Sequence, residues 1–186
     1  IEEGVFVSVK GSTVTSAPWE GARFGKVEIY ANTISIYGVL SSSGSGHTVE
    51  CGGNVGRGLG AGQVNPNRGA GSGGGHGGNG GGAVNYTPGG ATYGVIGLNS
   101  FPPSSDDVLL GSSGGSGSGC GGYGGGAILL SASSVTFSYI SADGAPGVDQ
   151  SGGGAGGTAL IEATYVNGGT ITARGGDYGP NFSGGG

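Results

Sequence analysis

The chain has 186 residues, of which 52 are glycine and 9% are charged, and its formal net charge is −5. Glycine does not recur at every third position, which excludes a collagen triple helix, and the small charged fraction excludes disorder driven by charge repulsion. The six Lys and Arg residues form no basic patch and no apolar run approaches the ~20 residues of a membrane-spanning helix, so we expect neither a nucleic-acid partner nor membrane insertion.

Residues 1–25 are predicted to form a degenerate first coil or a cap on the remainder of the chain. Val5, Val7 and Val9 alternate with other residues, as in a strand with one apolar face. Trp19 and Phe24 follow, and their large side chains would plug the open end of the first coil. The chain contains no methionine, even at position 1, so it is expected to start at a processing site or to be an excised fragment.

Three stretches align with one another without a gap: residues 26–43, 127–144 and 158–175. In the second stretch the apolar or small side chains are spaced alternately two and three positions apart, at Leu130, Ala132, Val135, Phe137, Ile140 and Ala142. Helices favour separations of three and four, and one long strand gives only twos. The pattern therefore predicts pairs of inward-facing residues separated by bends.

Internal repetition of this kind predicts a stack of short β-coils. We expect an all-β protein without helices: a parallel β-helix or solenoid of about four to five coils, in a single domain with repeat coils and variable loops over residues 26–186. A weaker fourth copy begins at Ala83. The alignment stacks Val39, Ile140 and Ile171, of which Ile140 and Ile171 are expected to be buried. The apolar content of 34% suits a solenoid, because each coil buries only a narrow stripe.

The chain has two cysteines, Cys51 and Cys120, which lie between the first and second repeats. Each of them begins a CGG triplet. If the protein is secreted, one disulfide between them is predicted; the alternative is two free thiols. His47 and His76 do not complete a zinc-binding spacing with these cysteines. We find no motif for nucleophilic or acid–base chemistry, and we expect no metal, no cofactor, no catalytic residue and no enzymatic activity.

Two loop features are candidate surface sites. The sequons at Asn85 and Asn181 are candidate N-glycosylation sites. The insertion at 98–113 is the candidate contact loop, and the alternative is an ordered cap over the edge of a coil. Its candidate contact residues are Phe101, Asp106, Asp107 and Leu109.

Glycine runs come directly before the aliphatic strands, as at Gly124–Gly126 and Gly152–Gly154. Glycine permits positive φ and therefore a sharp return turn. Extended glycine segments also pack side by side in the threefold polyglycine-II form, at a distance that no Cβ permits. The sequence favours tight, hydrogen-bonded glycine loops or short polyglycine strands beside the solenoid, so that the loops are only partly polyglycine-II-like.

The C-terminal end of the predicted solenoid shows no polar helix or charged cap in the sequence, and solenoids normally cap such ends. We expect the C-terminal end of one copy to be covered by the N-terminal coil of the next. The candidate assembly interface comprises Ile1, Val5, Val7, Val9, Ser183, Gly184, Gly185 and Gly186.

The motifs YISADG at Tyr139–Gly144 and TITARG at Thr170–Gly175 follow strands and alternate with glycine runs, and in this they resemble the glycine-rich repeats of extracellular and cell-surface proteins. That resemblance implies a structural or adhesive role outside the cell or at its surface, without catalytic residues. A second resemblance is to the glycine-rich tip adhesins of phage tail fibres, which have polyglycine-II bundles with variable receptor-binding loops.

These observations predict a structural subunit of an extracellular fibre or matrix. Its expected partner is itself, head-to-tail, and glycans are a further candidate partner. The alternative is an adhesin or receptor-binding tip. A lesser alternative is an ice-binding protein, which needs a flat Thr-x-Thr ladder; Thr13–Thr15 and Thr170–Thr172 supply only two rungs.

Overall fold

The computed structural model describes residues 1–8, 25–67, 69–83, 87–93 and 110–179. These ranges contain strands and extended segments but no helix, which confirms the all-β prediction for them. The strands are β1 (Phe6–Ser8), β2 (Lys26–Ser41), β3 (Val64–Asn65), β4 (Ala70–Gly71), β5 (Ala127–Ser141) and β6 (Thr158–Thr172). The long strands β2, β5 and β6 are formed by the three stretches that align in the sequence.

Four of the strands form one parallel sheet in the order β1–β2–β5–β6, and β3 and β4 form a separate antiparallel ladder. From its first residue β5 pairs with both neighbours at the aligned positions, as in the row Ile29–Leu130–Ile161. The paired positions skip Ser133 and Ser138. These interruptions divide the strand into short segments, in keeping with the separations of two and three residues in the sequence.

The register between β2 and β5 shifts by one residue after Ile36. Leu40, rather than Val39, therefore pairs with Ile140, and the predicted stacking of Val39 on Ile140 is wrong. The irregularity coincides with Gly38, on which a Cβ would overlap backbone carbonyl oxygens of the N-terminal segment. A bulge here accommodates that segment while keeping the aliphatic residues of β2 on the core side.

The hydrophobic core lies on one face of the sheet and is drawn mainly from β2 and β5. Its buried side chains are Ile34, Ile36, Leu40, Ile128, Leu130, Val135, Phe137 and Ile140. Ile171 is 44% exposed, so the expectation that it is buried together with Ile140 is wrong. The reason is topological: β5 flanks β6 on one side, and β6 is the last strand of the described sheet.

The glycine runs form a bundle of extended segments rather than isolated return loops. The N–H groups of Gly111 and Gly114 donate to the carbonyls of Gly125 and Gly122, and the N–H groups of Gly122 and Gly125 donate in turn to segment 151–157. Bonds to the same neighbour thus recur every third residue. Three residues per turn is the repeat of the polyproline-II-type helix, so the polyglycine-II packing, the alternative in the sequence, describes these runs.

The remaining residues of each bundle segment face other neighbours. In segment 111–116, the N–H groups of Ser113 and Ser116 donate to Arg57 and Asn54, and that of Gly115 donates to Ser72. Each segment is therefore hydrogen-bonded on several sides. Because almost every contact is between backbones, the bundle satisfies its polar groups without a conventional side-chain core.

The predicted fourth copy at Ala83 does not join the described sheet: Ala83 makes one antiparallel bridge to Thr87. The described residues supply three long strands and the short β1, so a solenoid of four to five coils is not shown. Residues 9–24, including Trp19 and Phe24, lie outside the described residues, and their predicted capping role stays a prediction.

Candidate functional site

A disulfide joins Cys51 to Cys120, as predicted for a secreted chain. The two glycine segments that it links are also paired through their backbones, with the N–H of Gly52 donating to Gly119 and that of Gly53 to Gly117. Cys51 is exposed and Cys120 is half-buried, so the bridge lies at the surface of the bundle. It fastens two segments that are 69 residues apart in the chain.

Both histidines are buried in the glycine-rich part of the molecule, at 5% exposure for His47 and 7% for His76. The ring of His76 packs edge-on against Tyr93, with ring centres 4.9 Å apart. Among the described residues there is no group of three or more His, Cys, Asp or Glu side chains that could hold a metal ion.

Five serines inside the bundle are fully buried, and their hydroxyl groups accept hydrogen bonds from backbone N–H groups. They are Ser72, Ser112, Ser113, Ser116 and Ser151. Each accepts a hydrogen bond from a backbone N–H at 2.7–3.0 Å, the donors being Gln63, Gly60, Arg57, Gly121 and Gly117 respectively. The serines therefore complete the hydrogen bonding of the bundle, and their burial removes them from any reaction with a solvent-borne substrate. This role was not predicted from the sequence, where the only signal is that each of these serines adjoins at least one glycine.

A row of hydroxyl groups closes the end of the sheet where it meets the bundle. The Ser141 hydroxyl donates to the Ser41 hydroxyl at 2.8 Å. The Thr172 hydroxyl donates to the Asp143 carboxylate at 2.9 Å, and that carboxylate also accepts the Arg174 N–H at 2.7 Å. These bonds hold neighbouring chain segments in register just beyond the last strand residues.

The outer face of the sheet is polar and contains exposed tyrosines. Tyr30 is 57% exposed, and its hydroxyl donates to the Glu28 carboxylate at 3.5 Å. Partial desolvation, and secondly the charge of Glu28, raise the pKa of Tyr30 above its ordinary value. Glu28 is also paired with Lys26 at 2.8 Å.

Both outer strands of the sheet expose apolar side chains. On β6, Val166 is 49% exposed in addition to Ile171. At the opposite edge the exposed fractions are 45% for Val5, 64% for Phe6 and 38% for Val7. The two edges of the described sheet therefore both offer apolar side chains to a partner.

The structure describes only part of the predicted assembly interface. Val5 and Val7 lie at the open edge, whereas the side chain of Ile1 packs against the core and its amino group donates to the Ser35 carbonyl at 3.0 Å. A shallow depression of about 670 Å³ lies beside this contact, lined by Ile1, Glu2, Glu3, Ser35, Tyr37 and Ser138. Val9, Ser183, Gly184, Gly185 and Gly186 lie outside the described residues.

The other predicted surface sites also lie outside the described residues, so they stay predictions. They are the contact residues Phe101, Asp106, Asp107 and Leu109 and the sequon residues Asn85 and Asn181.

Adjacent bundle segments expose a second group of large side chains. Tyr123, Val148 and Tyr178 are 42%, 54% and 56% exposed. Their segments are neighbours, because the N–H of Ala145 donates to the Tyr123 carbonyl and that of Gly147 to the Asp177 carbonyl. This grouping depends on which segments meet in the bundle, so it could not be predicted from the sequence.

No protein-family model, curated protein or solved structure matches this chain. The fold alone therefore defines its class: an all-β protein in which a parallel sheet continues into a bundle of polyglycine-II segments. Over the described ranges, no helix is long and apolar enough to span a membrane.

Proposed function

We propose that this protein is a non-enzymatic structural subunit of an extracellular fibre or matrix, and that it assembles head-to-tail with copies of itself through the two open edges of its sheet. The observation that carries the proposal is strand β6. It is 15 residues long, it is the last strand of the sheet in the part of the chain that the structure describes, and it leaves Val166 and Ile171 half-exposed in the rows where β2 and β5 bury their side chains.

An exposed edge strand presents a row of N–H and C=O groups that pair readily with another strand, and proteins usually discourage such pairing with charges, prolines or short edges. Strand β6 uses none of these devices to a significant extent. Its sequence contains one charged residue, Glu162, and no proline. Its long, apolar and weakly charged edge therefore favours pairing.

The opposite edge of the sheet is formed by β1, whose residues are all exposed. Because the strands are parallel, the β1 and β6 edges are different surfaces. Contact between them is heterologous, and such contacts continue into a filament unless the rotation between copies closes a ring. This geometry favours a fibre over a closed dimer.

Two further parts of the proposal have weaker support. The disulfide between Cys51 and Cys120 is compatible with an oxidising, extracellular compartment. We also propose that each long strand, together with the glycine segments after it, acts as one coil, with about four to five coils in the chain. Cryo-electron microscopy of an assembled fibre tests the number of coils directly.

The proposal is tested by measuring molecular mass against concentration with light scattering, together with negative-stain microscopy. The wild-type chain is expected to grow in mass and to form filaments. Ile171→Lys is expected to remain monomeric, because it places a charge in the open apolar edge. The matched control is Ser133→Lys, an exposed position on the central strand, which is expected to assemble normally. A wild-type chain that stays monomeric at high concentration contradicts the proposal.

The adhesin alternative is favoured by one observation, the exposed Tyr123, Val148 and Tyr178 on adjacent bundle segments. Aromatic side chains grouped on a rigid scaffold are typical of recognition surfaces. This alternative predicts monodisperse particles that bind cells or glycans, and a loss of binding in the double variant Tyr123→Ala/Tyr178→Ala without a loss of stability.

A further inference from the structure

We infer that the C-terminal part of β6 in one copy pairs with segment Val5–Ser8 of the next copy, in the register that places Val7 on Ile171. This inference rests on the proposed function, because it specifies the contact through which the copies assemble. It is carried by three rows of residues that run across the whole sheet.

The rows are defined by the pairing of the four strands. They are Phe6–Val39–Tyr139–Thr170, Val7–Leu40–Ile140–Ile171 and Ser8–Ser41–Ser141–Thr172. The middle row consists of aliphatic residues throughout, and the third of hydroxyl residues throughout. Each row begins on β1 and ends on β6, so a second copy stacked in the same direction extends all three rows at once.

The exposed fractions of the four aliphatic side chains show that the row is well packed in the middle and unpacked at its two ends. Its inner members, Leu40 and Ile140, are 1% and 0% exposed. Its outer members, Val7 and Ile171, are 38% and 44% exposed. Placing Val7 of one copy on Ile171 of another gives each of them a second aliphatic neighbour and removes both from water, as the inner positions already are.

The hydroxyl row fixes the register. Ser141 and Ser41 are hydrogen-bonded at 2.8 Å, and the same row is bounded by Thr172 on β6 and Ser8 on β1. In the proposed register Ser8 continues this row. A slip by one residue turns every side chain to the opposite face. In either direction it would place Val7 against a threonine hydroxyl, at Thr170 or Thr172, and would take Ser8 out of the hydroxyl row.

The register is tested by disulfide trapping between two variants, Phe6→Cys and Thr170→Cys. Phe6 and Thr170 are exposed and lie in the row on the opposite face from the aliphatic one, so the substitutions leave the core row intact. Directly paired residues of neighbouring strands are close enough for a disulfide. The structure contains no free cysteine, so the introduced thiols are the only ones available.

An equimolar mixture of F6C and T170C, oxidised mildly, is expected to give a cross-linked dimer on a non-reducing gel. The control mixture is F6C with Asn167→Cys, an exposed position three residues away on the same strand, and it is expected to give none. If the wild-type chain assembles but the cross-link forms with N167C, or with neither partner, the register is overturned while the proposed function stands. If the wild-type chain stays monomeric or stops at a closed dimer, the proposed function fails as well.

A second measurement does not depend on cysteine chemistry. V7E and I171K are each expected to lose assembly, because each places a charge opposite an aliphatic residue of the next copy. Mixed together they are expected to co-assemble, since contacts between the two substituted positions join opposite charges and the remaining contacts are of the native kind. A mixture that stays monomeric, with both variants folded as judged by circular dichroism and the wild type still assembling, overturns the pairing of Val7 with Ile171.

Discussion

Single glycines in the bundle differ in what surrounds the place of the missing side chain. At Gly125 a Cβ would overlap the Ala142 carbonyl oxygen and lie 2.5 Å from the Gly157 nitrogen. At Gly77 nothing lies within 4 Å of the corresponding position. Glycine at position 125 therefore permits the close approach of two backbones, whereas glycine at position 77 is an ordinary loop residue.

Gly125→Ala is expected to destabilise the protein by about 3 kcal/mol, because the added methyl group forces two hydrogen-bonded segments apart. Gly77→Ala is the matched control and is expected to change the free energy of unfolding by less than about 0.5 kcal/mol. Urea titration of both variants measures the difference. Equal stability of the two would mean that the bundle segments are not in contact in solution.

At the scale of the strands, position in the sheet decides how much a repeated residue contributes. Ile140 and Ile171 occupy the same place in two copies of the repeat, and they pair with each other. Ile140 lies on the central strand and is 0% exposed, whereas Ile171 lies on the last strand and is 44% exposed. The two residues are equivalent in the sequence repeat, but we expect them to contribute unequally to the free energy of unfolding.

Ile140→Ala is expected to cost about 2–5 kcal/mol, since it removes buried methyl groups and leaves a cavity. Ile171→Ala is expected to cost only about 1 kcal/mol in the dilute monomer, because part of the side chain is already in water. Ser133→Ala serves as a neutral reference. Thermal or urea unfolding of the three variants at low concentration gives the comparison, and equal losses at 140 and 171 would contradict the edge position of β6.

The repeat alignment predicted the three long strands because each places aliphatic residues at the same separations. It could not reveal the one-residue shift after Ile36, since Val39 and Leu40 are both aliphatic and either fits the pattern. Nor could it show that Ile171 is exposed, because a repeat does not say which copy ends the sheet. The shift depends on the packing of the N-terminal segment against Gly38, and the exposure of Ile171 depends on the place of β6 at the end of the described sheet.

The packing of the glycine runs was harder to predict for a different reason. Runs such as 111–126 and 151–157 both consist mostly of glycine, so the sequence holds little information on which run lies beside which. Their neighbours are decided by the lengths of the connections, by the disulfide and by the buried serines. Neither the contact of Tyr123 with the 145–148 segment nor the candidate surface there was therefore visible in the sequence.

At the scale of the whole molecule, the disulfide is the only covalent link between distant parts of the described chain. The two cysteines are 69 positions apart in the chain, and the intervening residues include segments that hydrogen-bond to bundle segment 111–116. Because glycine loses more conformational freedom on folding than any other residue, a chain of this composition benefits strongly from a link that restricts its unfolded state.

The double variant Cys51→Ser/Cys120→Ser is expected to lose roughly 4 kcal/mol of stability, the loop-closure contribution of a link of this length. The loss is measured by urea unfolding of the variant beside the wild type. Mass spectrometry of the unreduced wild-type protein after alkylation is the companion measurement. Uptake of two alkyl groups without reductant would show that the bridge is not formed.

The close approach of backbones in the bundle also limits which mutations the gene can tolerate. Apart from silent third-base changes, every single-base change in a glycine codon either adds a side chain or stops translation, so a bundle glycine has no mild substitute within reach of one mutation. Sequences of low complexity are usually free to drift, but the contacts around Gly124 and Gly125 leave no room for a β-carbon. Natural variation in this gene is therefore expected to spare such codons and to collect at open positions such as Gly77 and Gly78.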